Sequence, residues 1–247
     1  MIEFITAPAT LPQGQRVYAI GDVHGCIEKL AVLHQAIRQD LAERPVADAL
    51  LVHLGDYVDR GPDSAAVVGL LAAGPPITGL RTVNLMGNHE HMMLDAVASG
   101  QEAAAELWLS NGGADTLFSW GVPRLTKPAG WAALIPVPQL LFLRDLELTH
   151  RVGPYLFVHA GVRPGVALAQ QAREDLLWIR EPFLSSKGPL PGGTGGEDPA
   201  LVVVHGHTPV RAPVVRPNRI GIDTGAVMGG ALTCAVLEDD RVGFLTD

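Results

Sequence analysis

The chain has 247 residues, 47% of them hydrophobic, and a formal net charge of −8. That length supports one full hydrophobic core and is short for two ordinary domains. No lysine- or arginine-rich stripe is present, which excludes nucleic acid and anionic membranes as expected partners, and no apolar run reaches the ~20 residues of a membrane span.

In chain order, the first ten residues, MIEFITAPAT, lack the basic segment and apolar stretch of a secretory signal. Two cysteines, Cys26 and Cys234, make no disulfide framework, so a cytoplasmic protein is expected. Val17-Tyr18-Ala19-Ile20 reads as a buried strand that ends at Gly21, and Ile27, Leu30, Leu33, Ile37 and Leu41 then fall at helical spacing. Leu50 to Leu54 is the next strand. Ser64 to Ala73 is the next helix, entered through Pro62 and closed by Gly74-Pro75-Pro76. Arg81 to Leu85 runs as a third strand into MGNHE, so strand, turn and helix repeat three times, the mark of a layered α/β fold.

Residues 91–143 read as a helical insertion, broken by Gly112-Gly113 and by four prolines. The second half is β-rich, with strands expected at 146–152, 155–158, 201–204, 219–222 and 232–237. A Gly/Pro-rich segment at about 185–200 reads as a mobile loop. No linker marks a boundary, so residues 1–247 are expected to form a single domain.

Five short motifs each follow an apolar strand and carry a metal-capable side chain beside glycine: GDVHG (21–25), GDYVDRG (55–61), GNHE (87–90), HAG (159–161) and HGHT (205–208). Singly, each also fits a hydrogen-bonded turn or a helix start, with Asn88 as the cap of its helix. Together, at the carboxyl ends of strands, they point to one cleft. Asp22 and His24 are two apart, which on an extended segment puts them on one side. Carboxylate and imidazole without thiolate suit a divalent ion rather than a structural zinc. Asp56, Asn88, His159 and His207 bring the donors to six, too many for one ion with open positions and enough for two that share a carboxylate.

In order and wording these motifs resemble the calcineurin-like metallophosphoesterases, in particular the phosphoprotein phosphatases with their GDxHG, GDxxDRG, GNHE, HxG and GH signatures. HAG at 159–161 is the bacterial Ser/Thr protein phosphatase form. The resemblance spans Gly21 to about Gly230 and leaves the helical insertion without a family motif. It implies an α/β fold built as a two-sheet β-sandwich flanked by helices. It also implies two divalent ions, manganese first, with iron, zinc or magnesium as alternatives. Asp22, His24 and Asp56 would hold one ion and Asp56, Asn88, His159 and His207 the other, with a solvent hydroxide between them attacking phosphorus.

The same resemblance makes His89 the proton donor to the leaving oxygen, oriented by Asp59, and Arg60 a phosphate clamp with Asn88 beside it. Arg180, in DLLWIREPF, fits a second clamp, against the alternative of an ion pair with Asp175 or Glu181. Met86 stands where several relatives have the arginine of RGNHE, which removes a positive charge near the site. His34, His53, His91, His150 and His205 carry no expected site role, Asp63 reads as the charge at the start of its helix, and Cys26 as a packing residue.

The implied substrate is a phosphorylated protein or peptide, with phosphoserine or phosphothreonine ahead of phosphotyrosine. A symmetrical diadenosine tetraphosphate hydrolase is the alternative, and a metal-binding regulatory module without turnover the third reading.

Overall fold

Strands that are apolar on both faces need cover on both sides, and that requirement sets the layers of this chain. The computed structural model describes residues 2–190 and 200–247; positions 191–199, most of the loop expected at 185–200, lie outside the described residues. A short strand β1 (Phe4–Thr6) precedes three strand–helix units. They are β2 (Gln15–Ile20) with α1 (Ile27–Glu43), β3 (Asp48–His53) with α2 (Ser64–Ala72), and β4 (Arg81–Asn84) with α3 (Asn88–Ser99). The helical segment continues with α4 (Glu102–Trp108), a π-helical turn at Leu109–Gly113, α5 (Ala114–Ser119) and α6 (Val137–Arg144).

The second half carries β5 (Thr149–Val152), β6 (Tyr155–Val158), α7 (Arg173–Trp178) and β7 (Val202–His205). It closes with β8 (Val214–Arg216), β9 (Arg219–Gly221), β10 (Thr233–Glu238) and β11 (Arg241–Thr246). Two sheets result, in the orders β1-β11-β10-β2-β3-β4 and β5-β6-β7-β9-β8. In the first, β2, β3 and β4 run parallel; in the second, β6, β7 and β9 do.

Side-chain alternation divides the core. Val17, Ala19, Val52, Phe157, Val204, Ile220 and Leu237 pack between the sheets. Tyr18, Ile20, Leu51 and Val236 face the other way, onto Leu30, Leu33 and Ile37 of α1 and the helical segment. Leu156, Val158 and Val203 meet Leu176, Ile179 and Phe183 on the far side of the second sheet. The order is therefore helix, sheet, sheet, helix, and the carboxyl ends of β2, β3, β4, β6, β7 and β9 share one edge. Among the described residues no helix is long and apolar enough to cross a membrane.

The strands that periodicity did not predict are β1, β8 and β11. β11 returns from β10 through Asp239-Asp240, with Asp239 at φ +49°, a tight hairpin turn. Asp63 caps α2, its Oδ1 accepting from the Ala66 N–H at 2.9 Å.

His34 and His53, assigned no joint role above, meet in the interior. His53 Nδ1–H donates to Asn84 Oδ1 (2.8 Å), which leaves its Nε2 to accept from His34 Nε2–H (3.0 Å). Burial pushes His53 down to about 3 and His34 to about 4, from 6.5. The unfolded chain therefore binds protons first as pH falls. The stability these residues contribute is complete above about pH 6.5 and is lost progressively toward pH 4 and 3, at roughly 1.4 kcal/mol per pH unit for each. Urea unfolding between pH 7 and pH 5 is expected to show a shallower loss of stability in a His34→Gln/His53→Gln variant than in the parent. An unchanged slope would contradict the assignment.

Candidate active site

Three of the five motifs turn sharply where their strands end. His24, Asp56, Asp59, Arg60 and His207 have φ of +44°, +52°, +74°, +68° and +62°, and of the described non-glycine residues only Asp239 shares that region. Such conformations cost on the order of 1–3 kcal/mol each and persist where surroundings enforce them. One sequence expectation is corrected by this geometry. The 22–24 segment is a turn rather than an extended continuation, so Asp22 and His24 are not aligned by strand period. Asp59 and Arg60 likewise diverge through left-handed turns. Gly55, at φ +103°, lies so close to the third motif that a Cβ there would sit 2.5 Å from the Gly87 nitrogen.

Glu90 is the enforcing group. Its buried carboxylate accepts from the backbone N–H of Asp56 (2.8 Å), Tyr57 (2.7 Å), Val58 (3.1 Å) and Gly87 (2.9 Å). It thereby ties the β3 turn to the start of α3, whose N-cap is Gly87 rather than Asn88. Burial and the Asp56 charge raise the Glu90 carboxyl to about 8, and the N–H donors oppose that rise. The first turn joins through Val23 and His24, whose N–H groups donate to the Asp56 carbonyl (3.0 and 2.7 Å).

The Asp56 carboxylate stands at the centre, 2% exposed. Its Oδ2 lies 3.5 Å from His24 Nε2 and 4.0 Å from His89 Nε2, while Oδ1 lies 3.4 Å from His159 Nε2. Asn88 Oδ1 is 2.9 Å from both His159 Nε2 and His207 Nδ1. His24 and His159 spend their other ring nitrogens on the carbonyls of Val58 (2.8 Å) and Leu54 (3.0 Å), which turns Nε2 of each toward Asp56. Two groups with metal-binding spacing follow, His24–Asp56–His89 and Asp56–His159–His207. Asp22 lines the same cleft, buried, and accepts the His207 N–H at 3.0 Å.

Burial lowers His24 to about 4, His207 to about 3, and His159 as well, so these rings are neutral and have lone pairs to give. Burial alone would raise Asp56, but the surrounding imidazoles, His159 first and then His89, His24 and His207, hold the carboxyl below the usual range when they are protonated. Asp22 is pushed well up by burial and by the charges of Asp223 and Asp56. Buried carboxylates crowded in this way, with neutral imidazoles and an amide oxygen between them, make a donor set that fits divalent cations.

His89 and Asp59 lie beside this set. His89 Nδ1 is 2.6 Å from Asp59 Oδ2, so Nε2 faces the cleft. Arg60 is exposed, with Nη1 3.5 Å from His24 Nε2 and its backbone N–H on the Gly112 carbonyl (3.3 Å). Arg180 lines the same cleft without an ion pair among the described residues. Its expected competitors are engaged elsewhere: Asp175 binds Arg163 and Glu181 accepts from Ser185. At the departure noted at Met86, the Arg173 guanidinium of α7 rests on the Met86 sulfur.

Four residues outside the expected set take part in this geometry. Glu90 is the last letter of GNHE, and a glutamate in the first helical turn after glycine was its signal. Asp223 follows β9, a sixth parallel strand end, and lines the cleft. Trp108 and Thr116, from the helical insertion, reach Asp59 across 49 and 57 residues and gave no sequence signal.

Residues 15–242 match the calcineurin-like phosphoesterase model, and the chain belongs to that family of metallophosphoesterase hydrolases. Serine/threonine-protein phosphatase 1 of Salmonella typhimurium is 35% identical over 227 residues, covering 91% of this chain and 93% of that one. A symmetrical bis(5'-nucleosyl)-tetraphosphatase of Dechloromonas aromatica is 26% identical over 286 residues, 91% and 94% of the two chains. In fold, the cold-active protein-tyrosine phosphatase of a Shewanella species superposes with a TM-score of 0.59 at 18% identity, over 96% of this chain and 83% of that one.

Proposed function

We propose that the chain is a phosphoprotein phosphatase that hydrolyses phosphoserine and phosphothreonine monoesters. The observation that carries this reading is the cleft itself: two exposed guanidiniums, Arg60 and Arg180, flank an imidazole, His89, held with Nε2 toward the donor set. The 35% identity to a serine/threonine phosphatase supports it.

Two divalent ions, manganese first, are the cofactors of this reading. Asp22, His24 and Asp56 would hold one, and Asp56, Asn88, His159 and His207 the other. When bound they would supply Lewis acidity toward phosphoryl oxygens and lower the pKa of water. Arg60 and Arg180 bind the non-bridging phosphate oxygens through paired N–H groups. Asn88 turns its carbonyl oxygen to His159 and His207, which leaves its amide nitrogen for the phosphate. As water adds to phosphorus and the ester P–O bond breaks, the proton on His89 Nε2 passes to the serine or threonine oxygen, and Asp59 holds the imidazole from behind.

The tetraphosphatase relative favours a second reading, symmetrical cleavage of diadenosine tetraphosphate. Turnover of a phosphoserine peptide and of diadenosine tetraphosphate by the manganese-reconstituted chain separates them. A kcat/KM at least about tenfold higher for the peptide is expected, the worth of about 1.4 kcal/mol of transition-state binding. The reverse ranking would replace the proposal with the dinucleotide reading.

A further inference from the structure

We propose that Trp108 and Thr116 are positioning residues for the proton donor, so that the helical insertion sets the acid half of the reaction. This deepens the reading above and rests on it, since it takes His89 as the donor. Asp59 is fully buried, and every atom it offers is engaged. Trp108 Nε1–H donates to both carboxylate oxygens at 2.9 Å. Thr116 Oγ1–H donates to Oδ1 at 2.7 Å, and the same hydroxyl accepts the Asp59 N–H at 2.7 Å, which aims its proton at the carboxylate. Ser64 Oγ also accepts that N–H, at 3.1 Å.

Only one acceptor direction remains, and His89 Nδ1–H fills it at 2.6 Å. A carboxylate with these partners cannot rotate, so neither can the imidazole it holds: Nδ1–H stays on Asp59 and Nε2, which carries the donated proton, stays turned to the cleft. The approach depends on the helix break. Gly113 lies against the indole, where a Cβ would come within 2.6 Å of the ring, and Trp131 closes the other side, edge-on at 5.6 Å between ring centres. Removing the indole N–H while keeping an aromatic ring, or the hydroxyl without its volume, should leave the fold and the donor set in place while loosening the donor.

The test uses the leaving group as the readout. Proton donation matters for a poor leaving group such as a serine or phenol oxygen and little for p-nitrophenolate. Trp108→Phe, Thr116→Val and His89→Asn are each assayed on a phosphoserine peptide, phenyl phosphate and p-nitrophenyl phosphate, with metal content measured in parallel. For Trp108→Phe and Thr116→Val we expect kcat to fall by about tenfold or more on the first two substrates and by less than about threefold on the third, with KM and metal content unchanged. An equal loss on all three, or no loss, overturns the positioning role. If His89→Asn is selective for poor leaving groups and both other variants are not, only this proposal fails. If His89→Asn shows no selectivity, the proton-donor reading fails and takes this one with it. Should Trp108→Phe not fold, Thr116→Val decides alone, because its isosteric side chain removes only the hydroxyl.

Discussion

Asp56→Asn is expected to lower turnover by at least about 10³-fold and to weaken metal loading, the loss anticipated when a shared ligand is neutralised in a two-metal site. The substitution keeps the volume and the contacts of the Asp56 backbone N–H to Glu90. It removes the charge that faces His24 from one oxygen and His159 from the other, and it replaces one of those oxygens with an N–H donor. Three neutral imidazoles, His24, His159 and His207, would then face a neutral amide, and Asp22 would be the remaining anionic ligand of the expected set. Metal content after dialysis, read beside steady-state rates, gives the result. A variant that retains full activity contradicts the central role given to this carboxylate.

His89→Asn is expected to lower turnover by about 10²–10⁴-fold, the usual contribution of a positioned acid or base, with metal content unchanged. The two substitutions differ because the two side chains do different work. Asp56 sits between the donor groups. His89 has one ring nitrogen committed to Asp59, and its other lies 4.0 Å from Asp56 Oδ2, close enough to line the same cleft. Loss of both metal and activity in His89→Asn would move this residue from proton donor to ligand. Full retention of activity would remove it from the reaction.

Both substitutions fall on residues that the motifs single out, and the reason lies in the fold. Parallel strands buried on both faces read as continuous apolar runs, so 17–20, 50–54, 81–85 and 155–158 announce themselves, and the motifs mark where each run surfaces. The strands that went unread are β1 and β8, three residues each at the edges of their sheets, and β11, whose partner lies across a two-residue turn. The helical insertion is legible as helix but not as machinery. Trp108 and Thr116 act on Asp59 only because the chain returns after dozens of residues, and a single sequence records no such pairing. Asp223 was missed for a different reason: the strand at 219–222 was expected, but its end carries none of the five motifs, so the carboxylate after it gave no signal.

The expectation that Asp22 and His24 point to one side on an extended segment fails because β2 ends at Ile20 and His24 turns left-handed. Asp56, Asp59 and Arg60 are left-handed as well, and Glu90 accounts for the cost of the Asp56 turn by collecting its N–H groups. Alternation rules hold inside a strand and lapse at its end, which is where this site is built.

On the proposed reading, one cleft at the shared edge of the two sheets holds two divalent ions around Asp56 and uses them to hydrolyse a phosphate ester. Titration of the metal-stripped parent chain with manganese, beside Asp56→Asn, tests it most directly when bound ions per chain and phosphatase rate are followed together. The parent is predicted to take up two ions per chain and to gain its activity with the second, while the variant retains one or none and stays inactive. A parent chain that reaches full activity without bound metal, or that saturates at one ion with no difference from the variant, would contradict it.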